Sequence, residues 1–456
     1  MTRTDTPITG TEPHGSRRDL YAVAATALLV LAAVVIGRHI ERTRHTLHVG
    51  WPPLYADWLP HVGPGTPAAL ATAAAVVAYG PSLAARLRWP ALLAASWATA
   101  TAWILSLALI DGWHRGVARR LTTKYEYLQV IDRFHDIPAT LRDYTRHILI
   151  DSPDHWPPHT AGHPPAAPLT FVLLDRIGLG GGGWAGMWCV VVGATACMAV
   201  LSTLRALASE DLARRAAPFL VLAPAAVWMG ASADAYFTAV AAWAVALLAL
   251  AVSGRHVGWA AGSGLLFGLA CYLSYGLTLF AVIGAAVLFL GRRRVRERPA
   301  LLALLAAGLA VIPTAFTLTG FDWWEGYRLL VTRYYQGAGG VRPYGYWVWA
   351  NLACTAVIAG PATVAGLRRT IGRLRPRSLH RSLPPHARLA LLTCSALAAL
   401  LLADLSGMSK AETERIWLPF TMWLLAGAAF LPRPRAWLLA QAVLALAVNH
   451  VLLTGW

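Results

Sequence analysis

A few ionisable residues stand out in a chain that is otherwise strongly apolar. Asp111 ends an apolar run in "LALIDGWHRG", Glu126 sits between two tyrosines in "TKYEYLQV", and Asp234 lies in the turn "SADA" between two apolar segments. A carboxylate at membrane depth is costly and is a functional candidate by default. Held near an acceptor hydroxyl, it would serve as a general base. The turn also gives Asp234 an ordinary use as a helix N-cap, and Asp111 one as a solvated helix end. A second cluster, "SKAETERIWLPF", places Lys410, Glu412, Glu414 and Arg415 at the mouth of another apolar run. A cation at a helix N-terminus opposes the macrodipole, so Arg415 does not serve helix stability there. Its guanidinium suits a phosphate, or a neighbouring glutamate. The third stretch is "WPPHTAGHPPAAPLTFVLLDR", residues 156–176, with His159 and His163 between two Pro-Pro pairs. His155, His159 and His163 repeat every four residues, but the prolines forbid the regular helix that would put them on one metal-binding face. His163, held extended by the proline after it, is the histidine best placed to touch substrate.

Something must position these residues, and composition says what. The 456 residues are 57% hydrophobic and only 13% charged. Apolar runs of about 16–22 residues recur, the length a helix needs to cross a bilayer. The expected architecture is all-α: a polytopic membrane protein of about thirteen transmembrane helices and a long extracytoplasmic loop with interfacial helices. The spans are 20–37, 66–85, 89–110, 184–204, 216–231, 235–252, 257–273, 276–291, 299–318, 346–366, 389–404, 415–431 and 436–454. A tail, 1–19, precedes one membrane domain, 20–456. The first run has no small-residue cleavage site after it and reads as a retained helix. The net charge of +17 is nearly all arginine; Lys124 and Lys410 are the only lysines. In a membrane protein such charge reads as cytoplasmic anchoring, not as nucleic-acid binding. The arginine bias also suggests a bacterial source. The five cysteines fall in apolar runs without metal-ligand spacing and read as small core residues.

Orientation follows from arginine in short loops. Arg17-Arg18, Arg86 and Arg88, Arg214-Arg215, Arg292 to Arg298, Arg368 to Arg388, and Arg433 with Arg435 share one side, the cytoplasmic one, if 164–178 does not cross. Arg38, Arg42 and Arg44 go against this pattern. The opposite side then collects the loops 111–183 and 319–345 and the turns holding Asp234, "YLSYG" (272–276) and Arg415. Charges gathered on one face favour an enzyme at that surface over a transporter or lipid flippase, the alternative class, and no internal repeat supports the latter.

The order of these motifs resembles the C-type glycosyltransferase superfamily, in particular its branch of protein O-mannosyltransferases and lipid A aminoarabinose transferases. An external loop has an acid near its start and ends in a Pro-Pro element, "GHPPAAPLTFVLL" (162–174). A helix pair follows whose external turn is small-Asp-Ala, "SADA" (232–235). The resemblance covers about 89–290, and the rest by topology. It implies a hexosyl or pentosyl transferase using a polyprenyl-phosphate sugar. The acceptor would be a glycan, lipid or protein at the outer face of the plasma membrane. The loop carboxylate, Asp111 or Glu126, would act as base, with Asp234 in the same site. It also implies a possible divalent ion, Mg or Mn, on Asp111 and Asp234. His159, His163, Glu414 and Tyr275 would line the substrate. Relatives often have Lys-Gly where this chain has Tyr275-Gly276, so Arg415 or Lys410 would supply the missing phosphate-binding cation.

Overall fold

In a bilayer a helix satisfies its own backbone polar groups, so apolar runs of this length coil. In the computed structural model, which describes residues 13–254, 256–374 and 383–455, eight helices are long and apolar enough to cross a membrane. They are Gly15–Arg44, Thr66–Arg86, Trp89–Asp111, Gly182–Leu207, Ala233–Val252, Ala300–Leu318, Tyr344–Ile371 and Pro385–Leu405. Trp259–Leu273, Tyr275–Leu290 and Leu418–Phe430 are shorter apolar helices in the positions expected for spans. The chain is thus a multi-pass membrane protein. Residues 1–12 of the expected tail and 375–382 of the last long arginine loop lie outside the described residues.

Two expected spans take a different form. Over 216–231 the Glu210–Val221 helix stops and only the turn Ala226–Met229 follows, because Pro224 between them cannot continue a helix. The last helix, Pro434–Val451, ends before 454, and Leu452–Thr454 instead pairs antiparallel with Ala56–Trp58.

Small residues set the packing. Ala233–Val252 is buried along nearly its whole length, which its alanines permit. Between Trp259–Leu273 and Ala300–Leu318 the backbones nearly touch. A Cβ on Gly264 would lie 2.1 Å from Leu305 O, and one on Gly308 2.1 Å from Ala261 O. The Tyr344–Ile371 helix breaks at Gly360, whose φ of 80° is a glycine conformation. Gln441, from the last helix, repairs the break. Its Nε2 donates to Ala359 O at 2.9 Å and its Oε1 accepts from Ala362 N at 3.3 Å.

The arginine-bearing loops meet at one end of the bundle. Arg368 and Arg369 both bind Asp19, Arg214 donates to Ala84 O and Leu87 O, Arg388 to Leu207 O and Arg435 to Ala78 O. The opposite end carries the segment 111–181, a series of short helical turns. Within it Ala166–Arg176 has 11 residues, about 16 Å of helix, half of what a bilayer core requires. The helix within 164–178 is thus too short to span a bilayer core by itself. Tyr144 and Trp156 pin the Pro-Pro loop. Tyr144 Oη donates to Thr160 O at 2.8 Å, and Trp156 Nε1 donates to Tyr144 O at 2.8 Å.

Candidate active site

Four chain segments bring their polar residues to one narrow cleft at the end away from the arginine loops. Its lining includes Arg120, Glu126, Tyr127, His159, Ser232, Asp234 and Arg415. Inside there is room for about one water molecule.

Each side chain arrives by a local cause. Ser232 is the N-cap of Ala233–Val252, its Oγ accepting from Asp234 N at 3.2 Å. The capping role considered for Asp234 thus belongs to Ser232. The Asp234 carboxylate is left in the first turn to meet Arg415, 2.5 Å away. Glu126 is brought to His159 by the backbone: His159 N donates to Tyr125 O at 3.1 Å. Proline at N1 starts a helix rather than breaking one, so Pro158–Gly162 forms a single turn within the Pro-Pro stretch. That turn puts His159 in the cleft, with Nδ1 2.9 Å from Glu126 Oε1 and Nε2 2.9 Å from Arg415 Nη2.

Arg415 is buried. Its Nη1 meets Asp234 Oδ2, and its Nη2 meets His159 and Glu412 Oε2, the latter at 3.2 Å. Burial would lower its pKa, but the surrounding acids, Asp234 first and then Glu412 and Glu126, raise it on balance, so the guanidinium stays charged. Arg120 is the second cation. Burial lowers its pKa to about 10, and the Asp111 carboxylate opposes that shift. It donates to Asp111 Oδ2 at 2.7 Å and to Thr454 O at 3.1 Å, while its Nε is buried with no hydrogen-bond partner among the described residues.

Sequence reasoning placed Glu126, Asp234, His159 and Arg415 as candidates, and the fold unites them. Asp111 stands one layer back. It is held by Arg120 and by His61 Nε2 at 2.9 Å, and it reaches the cleft only through Arg120. His163 does not line the cleft. It packs between the rings of Tyr127 and Phe237, and burial lowers its pKa to about 4, so it is neutral. Lys410 points away: its Nζ donates to Gly339 O at 2.8 Å. Glu414 is fully buried and accepts from Tyr55 N at 2.8 Å. Tyr275 packs against Trp323 and Tyr327, outside the cleft lining. Arg120 was missed. In the sequence it is one of three arginines in "HRGVARRL", with nothing to separate it from its neighbours.

The metal expectation on Asp111 and Asp234 does not fit the residues present. Each carboxylate is matched to its own guanidinium, and Arg120 stands between Asp111 and the cleft. Among the described residues no group of three or more His, Cys, Asp or Glu converges as ligands.

No protein-family model matches this chain, and no curated protein matches it. Three solved structures, all of the Archaeoglobus fulgidus oligosaccharyltransferase, are similar to it. The form tethered to an acceptor peptide has 13% identity and a TM-score of 0.44 over 79% of this chain and 55% of that one. The form with zinc and sulfate has 13% identity and a TM-score of 0.40 over 76% and 53%. The form with an inhibitory peptide and a dolichol-phosphate, named AglB, has 10% identity and a TM-score of 0.36 over 92% and 50%. This chain spans about half the length of those structures, and none of these likenesses assigns it to a family.

Proposed function

We propose that this protein is a membrane glycosyltransferase that moves a sugar from a polyprenyl-phosphate donor to an acceptor hydroxyl. The observation that carries the reading is the composition of the cleft: one carboxylate–histidine pair, Glu126 and His159, faces two guanidinium groups, Arg415 and Arg120. Attack at an anomeric carbon needs a base for the acceptor proton and positive charge for the departing phosphate. Glu126 takes the proton. Arg415, held by Asp234, and Arg120, whose Nε is unmatched, receive the phosphate. No step requires a metal.

The motif order in 162–174 and 232–235 supports a hexosyl or pentosyl group as cargo, on the pattern of the O-mannosyl and aminoarabinose transferases. Arginine at the other end of the bundle supports an outward-facing cleft in a bacterial plasma membrane. The test is transfer by the reconstituted protein from a panel of polyprenyl-phosphate sugars. Transfer by the wild type, lost in Glu126→Gln and Asp234→Asn, is the expected result. Failure of the wild type to consume any such donor, with movement of a lipid or solute across the vesicle, would replace this reading by the transporter class.

A further inference from the structure

Ala411 and Glu412 are consecutive non-glycine residues in the left-handed region, with φ of 73° and 61°. L-residues adopt this conformation at a cost, so the surroundings must hold it. The holding groups come from the second external loop. Tyr334 Oη accepts from Lys410 N at 2.9 Å, Lys410 Nζ donates to Gly339 O, and Arg342 Nη1 donates to Lys410 O at 2.8 Å. Arg342 is itself anchored, its Nε donating to Leu47 O at 2.9 Å.

The strained turn aims one side chain. Glu412 lies between two guanidinium groups, with Oε2 3.2 Å from Arg415 Nη2 and Oε1 3.4 Å from Arg342 Nη1. Burial would raise its pKa, but Arg415 and Arg342 outweigh this and hold it below the usual glutamate range. Glu412 is thus an anion lying on the edge of the cleft cation. Of the three partners named for Arg415 it is the most exposed, at 24% against 7% for Asp234 and 10% for His159. It also makes a longer contact than Asp234 does.

We infer that Glu412 is a stand-in for the phosphate: it holds the Nη2 edge of Arg415 and passes to Arg342 when the carrier phosphate, a diester in the donor and a monoester once the sugar has left, takes that place. The inference deepens the reading above and rests on it. Asp234 remains on Nη1 throughout, so the guanidinium keeps its direction as its second edge changes partner. Arg342 lowers the cost of displacing Glu412 because it offers the carboxylate a cation already in place. Glu412 and Arg342 are positioning residues here. They set the affinity of the cleft for an anion without touching the sugar.

The experiment is equilibrium binding of farnesyl monophosphate to the purified full-length protein, with farnesol as the control. Glu412→Gln removes the competing charge and binds the phosphate about tenfold tighter, the size of one charge pair. Arg342→Gln removes the receiving cation and binds about tenfold weaker, and in the Glu412→Gln background the Arg342 change has no further effect. Unchanged or weaker binding by Glu412→Gln, with its thermal midpoint preserved, overturns the inference and leaves the transferase reading standing. Should Arg342→Gln fail to fold, the sign of the Glu412 effect decides alone. Wild-type protein that binds farnesyl phosphate no better than farnesol overturns the phosphate reading of the cleft, and this inference with it.

Discussion

His159 Nδ1 lies 2.9 Å from Glu126 Oε1. A carboxylate only accepts, so Nδ1 carries the proton, and Nε2 then receives the Arg415 N–H. This tautomer is neutral, and its lone pair is already engaged by a guanidinium. His159 therefore orients Glu126 and Arg415 relative to each other, which under the proposed mechanism leaves the carboxylate as the proton-accepting group. Glu126→Gln lowers kcat by about 10²–10⁴-fold, the usual worth of a positioned base. Asp111→Asn deprives Arg120 and His61 of their shared partner and lowers the thermal midpoint more than it lowers kcat. Initial rates and melting curves of the two variants check this. Equal losses of kcat would return the base to Asp111.

His163 gives the protein an acid sensitivity that is separate from catalysis. Burial lowers its folded pKa to about 4 from 6.5. Between those values the unfolded chain binds the proton and the folded one does not, so stability falls as pH drops below 6.5 and through 4. Above 6.5 the residue is neutral in both states and contributes no pH dependence. Thermal midpoints of His163→Gln will show a shallower decline than wild type between pH 6.5 and 4. The pH–rate profile of transfer will keep its shape in the variant.

Glu414 works in the opposite sense. Burial raises its pKa above 4.5, so the folded state favours the protonated acid. Its contribution is complete below 4.5 and is lost as pH rises through the folded value. Glu414→Gln keeps an oxygen for Tyr55 N and carries no charge. Its midpoint relative to wild type therefore rises as pH is raised through that window.

The break at Gly360 depends on one amide. Gln441→Leu takes the side-chain acceptor from buried Ala362 N, at about 1–3 kcal/mol, while Ala359 O keeps the Thr363 hydroxyl at 2.7 Å. Thermal unfolding in detergent measures this. Gly360→Ala adds a left-handed non-glycine residue, whose Cβ would lie 1.9 Å from Gln441 Oε1, and is destabilising as well.

Sidedness has a direct check. Trp324 is exposed in the 319–345 segment at the cleft end of the bundle, and Arg296 lies among the arginines at the other end. A membrane-impermeant thiol reagent added outside intact cells labels Trp324→Cys. It labels Arg296→Cys only after the membrane is opened.

The sequence made the polar members of the cleft visible one at a time, because each is costly in so apolar a chain. Their pairing was hidden: Asp234 and Arg415 are 181 residues apart. Nearness along the chain was misleading for Lys410 and Glu414. Successive residues of a helix point about 100° apart, so Glu414 turns to Tyr55 while Arg415 turns to Asp234. His159 rather than His163 enters the cleft because Pro158 opens a single helical turn, while His163 after it is extended, as expected. Helix positions were more legible than interruptions. Thr66–Arg86 and Ala233–Val252 follow the apolar pattern closely. The break at Pro224 comes from the proline itself, which hydropathy passes over, and the strand at Leu452–Thr454 depends on a distant partner, Ala56–Trp58.

The pairing of Leu452–Thr454 with Ala56–Trp58 also orders events in time. Arg120 has one edge on Asp111 and another on Thr454 O, and His61, a further partner of Asp111, is held through its backbone N–H by His450 O. Both supports come from residues that the ribosome makes long after Glu126, His159 and Asp234. A chain made only as far as Asp234 can hold Arg120 on Asp111, yet it lacks both Arg415 and the Thr454 carbonyl that takes the other edge of Arg120. The cleft thus draws on residues made early, Glu126 and Asp234, and on residues made late, Arg415 and Thr454.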